Sequence, residues 1–494
     1  MNQDRTGAGA GAGDATLLLS LDGLAVTGVE RGAAGTLRVQ VATAAETAAV
    51  CPTCGVVSTR VKEYVCTRPR DLPQGRTRME LVWRKRRWYC RARWCGRARW
   101  CGRKSFTESM PAVPAGARIT ARLREHAGDL VVDGLCATVA AAGRMTGVSW
   151  PTAMDAVRAA AERVLDQAPG PVEVLGVDEV RRGRPRWRPA EPAPPPTPAP
   201  EPPVVPETVV PETVAPEPVV PEPVVPHRET ARARTLADRW HVGFTDVGGG
   251  QGMLGQVEGR TADDVAYWLA SHSPAWRDRI RYVAIDMCTV FAAAIRRCLP
   301  HATIVVDHFH VVKLANDTVA EVRRRIATQL RGRRGRNTDP EYTVRNLLRR
   351  NREDLSDTAF AKLWNTLVDL DEPGLTILQT WIAKEELRRL LALAGTGADR
   401  SVISHRLYRF YTWCSDAAVP ELERLARTIQ TWWPAIEAFL HTKITNAASE
   451  GYNRVVKLDA RNGYGYRNPA NQRLRTRCAT TRRARGCLNP DQLR

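Results

Sequence analysis

The stretch RYVAIDMCTVFAAAIRRCLPHATIVVDHFH, residues 281–310, decides the fold. Tyr282–Ile285 is a short apolar run of the kind that forms a buried strand, and it stops at Asp286. Residues 289–299 space their apolar side chains at helical intervals, with Arg296 and Arg297 on the opposite face. Residues 302–306 form a second apolar run, which stops at Asp307 in the phrase Asp307-His308-Phe309-His310. Strand, helix and strand in this order belong to an α/β sheet, with acidic residues at the strand ends.

Upstream, VEVLGVDEV carries a strand over residues 172–178 that ends at Asp178. RWHVGFTDVGG and QGMLGQVEGR read as two strands of a hairpin or meander. Residues 261–271 read as a helix with Thr261 as N-cap and Asp263 and Asp264 in its first turn. The order is strand, strand, strand, helix, strand, helix, strand, which is that of a ribonuclease-H-like α/β domain. From 311 to 440 the pattern is helical, with Trp364, Trp381, Trp413 and Trp432 spaced through it. A basic, helix-like segment from Lys443 to Arg485 follows, and its phrase TNAASEGYNR contains Glu450.

Asp178, Asp286 and Glu450 are therefore the candidate catalytic residues and magnesium ligands. Cleaving a phosphodiester without a covalent intermediate requires an activated water and a neutralised leaving oxygen. Two divalent ions roughly 3.5–4 Å apart supply both, and carboxylates are the hard ligands that hold them. Glu179 should point to the opposite face of its strand, because side chains alternate. Asp307 ends the fifth strand of the order, whereas Asp286 ends the fourth, beside the first; Asp307 is kept as a supporting residue. His308 and His310 either contact DNA or pack. Asn453, Arg454, Lys457 and Arg461 recur at helical spacing beyond Glu450 and are candidates for holding the DNA backbone.

The composition supports a polyanionic partner. The chain has 494 residues and a formal net charge of +20, and each phosphate neutralised by Lys or Arg releases counterions. Its length suits roughly three domains. No apolar run approaches the roughly 20 residues of a spanning helix, and MNQDRTGAGAGAG lacks the layout of a signal peptide. The expectation is a cytoplasmic protein with no membrane partner and no disulfides.

Half of the twelve cysteines then fall between Cys51 and Cys101. Cys51-Pro-Thr-Cys54-Gly has the spacing of a zinc knuckle. The second half of the cluster lies in WYCRARWCGRARWCGRKSF, where RARWCG occurs twice in tandem. Cys90, Cys95 and Cys101 thus compete for two ligand places. The assignment is Cys51, Cys54, Cys90 and Cys101 for a structural zinc, with Cys95 as the rival fourth ligand. The Arg and Trp residues between them suit phosphate contact and stacking.

ATVAAAGRMTGVSWPTAMDAVRAAAERVL fits two helices around a turn at Gly147, with Ser149 as the cap of the second and Pro151 in its first turn. The second helix of such a helix-turn-helix enters a major groove. Arg144, Ser149, Trp150 and Thr152 are its candidate DNA contacts. Between about Pro189 and Pro226 the chain repeats a VVPET/VVPEP unit. Proline fixes φ and lacks a donor, so this is solvated, extended chain inserted in a loop.

These residues together resemble bacterial insertion-sequence transposases of the ISL-three type. CPTCG and RRWYC…CGRKSFTE resemble the N-terminal zinc finger of that family, and residues 139–159 its helix-turn-helix. GVDE, AIDM, PHATIVVDHFHVVKLAN, TNAASEGYNRVVK and ARNGYGYRN resemble its catalytic domain. The RARWCG duplication and the proline-rich insertion depart from the pattern. The resemblance implies a ribonuclease-H-like fold and an Asp-Asp-Glu site at Asp178, Asp286 and Glu450. Its cofactors would be two Mg²⁺ ions (with Mn²⁺ able to substitute) and a structural Zn²⁺.

The expected organisation is a disordered start with short strands at 1–48, a zinc-binding finger at 49–110 and a helix-turn-helix domain at 115–168. The catalytic domain would span 171–494, with a proline-rich insertion at 188–230 and a helical insertion at 315–440. The expected function is DNA transposition. The partners would be terminal inverted repeats and target DNA as double strands, bound by a homo-oligomer. The alternatives are a non-catalytic DNA-binding repressor derived from a transposase and a structure-specific nuclease.

Overall fold

The computed structural model describes residues 10–32, 35–44, 49–75, 77–90, 101, 103–165, 168–183, 186–189, 234–237 and 239–486. The first structured unit opens with α1 (Ala10–Leu19), followed by β1 (Leu24–Arg31), β2 (Leu37–Thr43), β3 (Val61–Thr67), β4 (Arg70–Gln74), β5 (Thr77–Tyr89) and β6 (Ser105–Thr107). They build a six-stranded sheet ordered β1-β2-β5-β3, with β4 and β6 also paired to β5. Leu19 of α1 packs with Val26, Val39, Val41, Leu81 and Trp83 on one face of the sheet. The disordered start expected from the Gly/Ala-rich sequence is thus corrected over residues 10–19, where alanines and a leucine run form a helix with an apolar surface to cover. The strands expected upstream of residue 48 and those of the finger share this one sheet, because β2 pairs in parallel with β5.

The next unit has three helices, α2 (Ala121–Val132), α3 (Val139–Thr146) and α4 (Trp150–Val164). α3 and α4 are the two helices expected around Gly147. Gly147 ends α3 with φ 69°, a left-handed position that glycine adopts without Cβ strain. Ser149 caps α4, its side chain accepting from the backbone N–H of Thr152. Gly128 of α2 lies so close to α4 that a Cβ there would strike the Ala156 carbonyl. The Arg70 guanidinium donates to the Gly147 carbonyl, joining the first sheet to the turn.

A second sheet comprises β7 (Val174–Arg181), β10 (Trp240–Asp246), β11 (Met253–Glu258), β12 (Tyr282–Ile285) and β13 (Thr303–Val306) in the order β11-β10-β7-β12-β13. β10 is antiparallel to both β7 and β11, and β12 is parallel to both β7 and β13. A small ribbon of β8 (Arg186–Pro189) and β9 (Arg234–Ala237) closes the connection from β7 to β10. The proline-rich repeat emerges from this ribbon, at 190–233, and lies outside the described residues. Helices α5 (Ala262–Ala270), α6 (Pro274–Arg277) and α7 (Thr289–Cys298) complete the α/β unit. Thr261 and Asp264 cap α5 reciprocally, as a capping box.

The helical region begins at His308, directly after β13, rather than at 315. It contains α8 (His308–Arg331), α9 (Pro340–Thr343), α10 (Arg345–Leu348), α11 (Asp357–Val368), α12 (Asp371–Leu391), α13 (Arg400–Asp416) and α14 (Pro420–Thr442). One apolar core runs from Leu175, Val283 and Val305 of the sheet through Val319 and Leu387 to Ile436, so sheet and helices fold as one body.

The chain returns to the sheet with α15 (Ala447–Asn462) and α16 (Pro469–Arg485). Cys478 of α16 is buried in the core of the three-helix unit. Arg475 and Arg482 donate to the carbonyls of Ala137 and Val132 at 2.8 and 2.5 Å. The last helix therefore ties the three-helix unit to the second sheet. Among the described residues no helix is long and apolar enough to cross a membrane.

Candidate active site and metal centre

Asp286 follows β12 immediately, as its sequence predicted. Asp178 is different: β7 continues to Arg181, paired with β10, so Asp178 lies inside a strand. The parallel pairing of β7 with β12 ends at Val177 opposite Ile285. Asp178 and Asp286 are thus the first residues beyond the end of that pairing, on adjacent strands. The charged tail Glu179–Arg181 is held by β10 alone, which is why the apolar run gave no sign of it.

Glu450 reaches the same place from the first turn of α15. Asn446, the N-cap residue of that helix, is fully buried. Its Nδ2 donates to the Val177 carbonyl at 3.2 Å, and its backbone N–H donates to Asp307 Oδ2 at 3.2 Å. Gly176 makes this close approach possible, since a Cβ there would collide with Ser449 Oγ and Asn446 Oδ1.

The Asp178 carboxyl senses the other two acids. Burial first, then the Asp286 charge and more weakly that of Glu450, push the Asp178 carboxyl up to about 7, against the lowering effect of the Glu179 N–H. Asn453 Nδ2 donates to Asp178 Oδ2 at 2.6 Å, and Glu179 N–H to Oδ1 at 2.7 Å. His310 Nε2 lies 2.9 Å from Asp286 Oδ2, and this contact raises the histidine above its ordinary pKa. Asp286 Oδ1 is buried without a hydrogen-bond partner among the described residues. A cluster of acids with one orphaned oxygen and one raised carboxyl fits divalent cations, which would relieve both costs.

Asp307 is buried and acts as the N-cap of α8, accepting from Phe309 N–H at 3.0 Å. With its bond from Asn446 it supports the site rather than facing it. His308 stacks on Phe439, with ring centroids 4.8 Å apart. Asn453 departs from the expectation of a DNA contact: it is buried against Asp178, while Arg454, Lys457 and Arg461 are exposed on the outer side of α15. Asn446 and Gly176 were not identified from sequence, and His310 stood open between a DNA contact and packing. The spacing of DHFH relative to its strand and the glycine before GVDE's valine were the available signals.

In the first unit, Cys51, Cys54, Cys90 and Cys101 bring their sulfurs within 4.8 Å of one another. Cys51 Sγ and Cys101 Sγ are 3.8 Å apart, and Cys54 Sγ and Cys90 Sγ 3.6 Å. Tetrahedral coordination at Zn–S ≈ 2.3 Å requires edges of roughly 3.8 Å, so the cluster fits zinc and its spacing is far too long for disulfides. Cys95 lies outside the described residues. On the three-helix unit, Arg144, Ser149 and Trp150 are exposed at the turn, Trp150 by 51 %. Thr152 is half-buried, with its hydroxyl 2.9 Å from that of Ser149.

The molecule is thus a mixed α/β protein with a zinc ribbon, a helix-turn-helix domain and a large α/β unit bearing a carboxylate cluster. Comparison with known proteins gives the class a family. A family model described as a transposase of the ISL3 group matches residues 230–476. Residues 47–95 match the zinc finger of transposases IS204/IS1001/IS1096/IS1165, and residues 108–161 match the helix-turn-helix domain of transposase family ISL3. The chain belongs to the ISL3 transposase family. The transposase match starts beyond β7, so Asp286 and Glu450 lie inside it and Asp178 outside. The zinc-finger match stops at Cys95, in the first copy of the repeated hexapeptide, whereas the structure gathers the cysteine of the second copy.

Among curated relatives, the transposase for insertion sequence element IS1001 of Bordetella parapertussis is 29 % identical over 237 residues, covering 48 % of this chain and 56 % of that protein. The transposase for insertion sequence element IS1557 of Mycobacterium tuberculosis is 27 % identical over 212 residues, covering 39 % of this chain and 46 % of its own length. The chain therefore spans about half the length of these relatives.

Proposed function

We propose that this protein is a DNA transposase whose second sheet is a ribonuclease-H-like catalytic domain. With β7 as the first strand, the order β11-β10-β7-β12-β13 reads third, second, first, fourth, fifth. The observation that carries the reading is the meeting of Asp178, Asp286 and Glu450 on adjacent strands and one crossing helix in a chain of net charge +20. These carboxylates would hold two Mg²⁺ ions, which supply activation of the attacking oxygen and neutralisation of the departing one.

The chain's own residues do the rest. Asn446 fixes α15 to β7, so Glu450 is delivered by a rigid helix. Asn453 and the Glu179 N–H orient the Asp178 carboxylate, and His310 orients that of Asp286. Arg454, Lys457 and Arg461 would hold the scissile strand's phosphates. The zinc ribbon and α4 would bind the terminal inverted repeats, with Arg144, Ser149, Trp150 and Thr152 at the groove, in a homo-oligomeric assembly on DNA. In the first step water adds to phosphorus and the element's strand departs with a free 3′-hydroxyl. In the second that hydroxyl attacks a target phosphodiester and displaces a target 3′-oxygen.

The test is cleavage and strand transfer on a duplex carrying the inverted repeat that flanks the gene, with Mg²⁺, comparing wild type with Glu450→Gln. Both steps should be present in wild type and lost in the variant while binding is kept. Specific binding by both proteins with cleavage by neither would instead mark a DNA-binding repressor.

A further inference from the structure

Several arginines of the helical region are paired with acids: Arg325 with Glu421, Arg331 with Glu341, Arg333 with Asp339, Arg388 with Glu353 and Glu385, and Arg424 with Glu321. Four others line a single concave cavity of about 280 Å³ where α8 meets α10: Arg323 and Arg324 on α8, and Arg345 and Arg349 at α10. No carboxylate bonds to these four among the described residues. The one acid on the cavity wall, Asp317, is exposed.

The cavity is a prepared one. Tyr342 stacks against Arg345 at 4.0 Å from ring centroid to guanidinium carbon and against Arg323 at 5.5 Å. Arg345 is further held by a 3.0 Å bond to the Tyr342 carbonyl. Burial first, and then the neighbouring Arg324 charge, hold Arg323 below the ordinary guanidinium range. Arg323 and Arg345 are half-buried and no carboxylate bonds to them among the described residues, which is costly unless a ligand supplies an anion. Arginine forks match phosphate oxygens bidentately.

The position of the cavity identifies the ligand's source. α8 is one uninterrupted helix from His308 to Arg331. Arg324 lies about four turns, roughly 21 Å, beyond His310 and projects from nearly the same side of the helix. That span is about six base pairs of duplex at 3.4 Å each. We propose that this cavity is a phosphate-binding site for the DNA backbone, gripping the duplex about six base pairs from the strand held at the carboxylate cluster. The proposal rests on the reading that DNA is this protein's partner, and adds a contact in the helical region that is blind to sequence.

Arg324 and Arg349 are exposed, so replacing them leaves the core intact. The experiment measures binding of the full-length protein to a 30-base-pair duplex of arbitrary sequence across a salt series. Wild type is compared with Arg324→Gln/Arg349→Gln, Arg324→Lys/Arg349→Lys and, as a control, Arg427→Gln. Losing two phosphate contacts should lessen the slope of log K against log salt by about 1.8 and weaken binding roughly tenfold at moderate salt. The lysine pair should keep most of the slope, and Arg427→Gln should match wild type. An unchanged slope and affinity in the glutamine pair would overturn the site, as would an effect on oligomer assembly alone. Failure of wild type to cleave element ends would sink the catalytic reading while leaving this slope difference in place, so the two failures are distinguishable.

Discussion

The four-thiol cluster and the three-carboxylate cluster are built on opposite plans. Among the described residues, only the thiols bring all their ligand atoms within 4.8 Å of one another. Three of those four cysteines are buried. The carboxylates stand farther apart and more open, with the Asp286 side chain 30 % exposed. Each plan suits its ion. One tetrahedral zinc sets a single fixed spacing and needs no open position. Cations that handle a reacting phosphate must leave room for it, and the ligands proposed here accordingly come from separate elements, β7, the end of β12 and α15. Closeness of ligands would then mark the structural site, and precision of the supporting hydrogen bonds the proposed reactive one.

The largest effect should come from the closed cluster. Cys101→Ser should abolish zinc retention and melt the first unit, a loss on the order of 10 kcal/mol of metal-linked folding energy. Cys95→Ser should retain one zinc per chain, read by metal analysis and near-ultraviolet dichroism. The reverse outcome would transfer the fourth ligand to the first hexapeptide copy. Next, Asp286→Asn should lower the rate of DNA cleavage by about 10³-fold or more, since it removes a ligand worth several kcal/mol of charge stabilisation. Its melting temperature should stay near wild type; a variant that cleaves normally would remove Asp286 from the site.

A smaller effect is expected at the support. Gly176→Ala should force α15 away from β7 and cost about 1–3 kcal/mol, with cleavage falling more than DNA binding. Equal losses of both would mean that α15 positions nothing specific. The smallest effect is a pH dependence. The folded Asp178 carboxyl is raised to about 7, above an unfolded value of about 3.9. Its contribution to stability is thus present below about pH 4 and is lost as pH rises through 7. Metal-free protein should lose melting temperature between about pH 4 and 7, and Asp178→Asn should flatten that decline.

Much of this architecture was legible as apolar runs. Val283–Ile285 and Val305–Val306 are buried on both faces, so these runs read as uninterrupted strands with an acid at the end. Ser149, Gly147 and Thr261 carry their structural roles in their own chemistry, as caps and turns. What stayed hidden depends on packing partners. Periodicity placed Asn453 and Arg454 on one helix but could not say which side of it faces β7, so a buried clamp was read as a surface contact. The inward turn of α16 is likewise absent from its basic composition: Arg475 and Arg482 point to carbonyls of the three-helix unit. His310 was left between two readings because its partner, Asp286, is distant in sequence and near only across the sheet.

The central claim is that Asp178, Asp286 and Glu450 form one cation site. The direct measurement is Mn²⁺ binding to the zinc-loaded full-length protein by electron paramagnetic resonance, comparing wild type with Asp286→Asn and Glu450→Gln. Wild type should bind two Mn²⁺ ions per chain, each variant clearly fewer, and zinc should be unchanged in all three. Equal Mn²⁺ binding by wild type and both variants would contradict it.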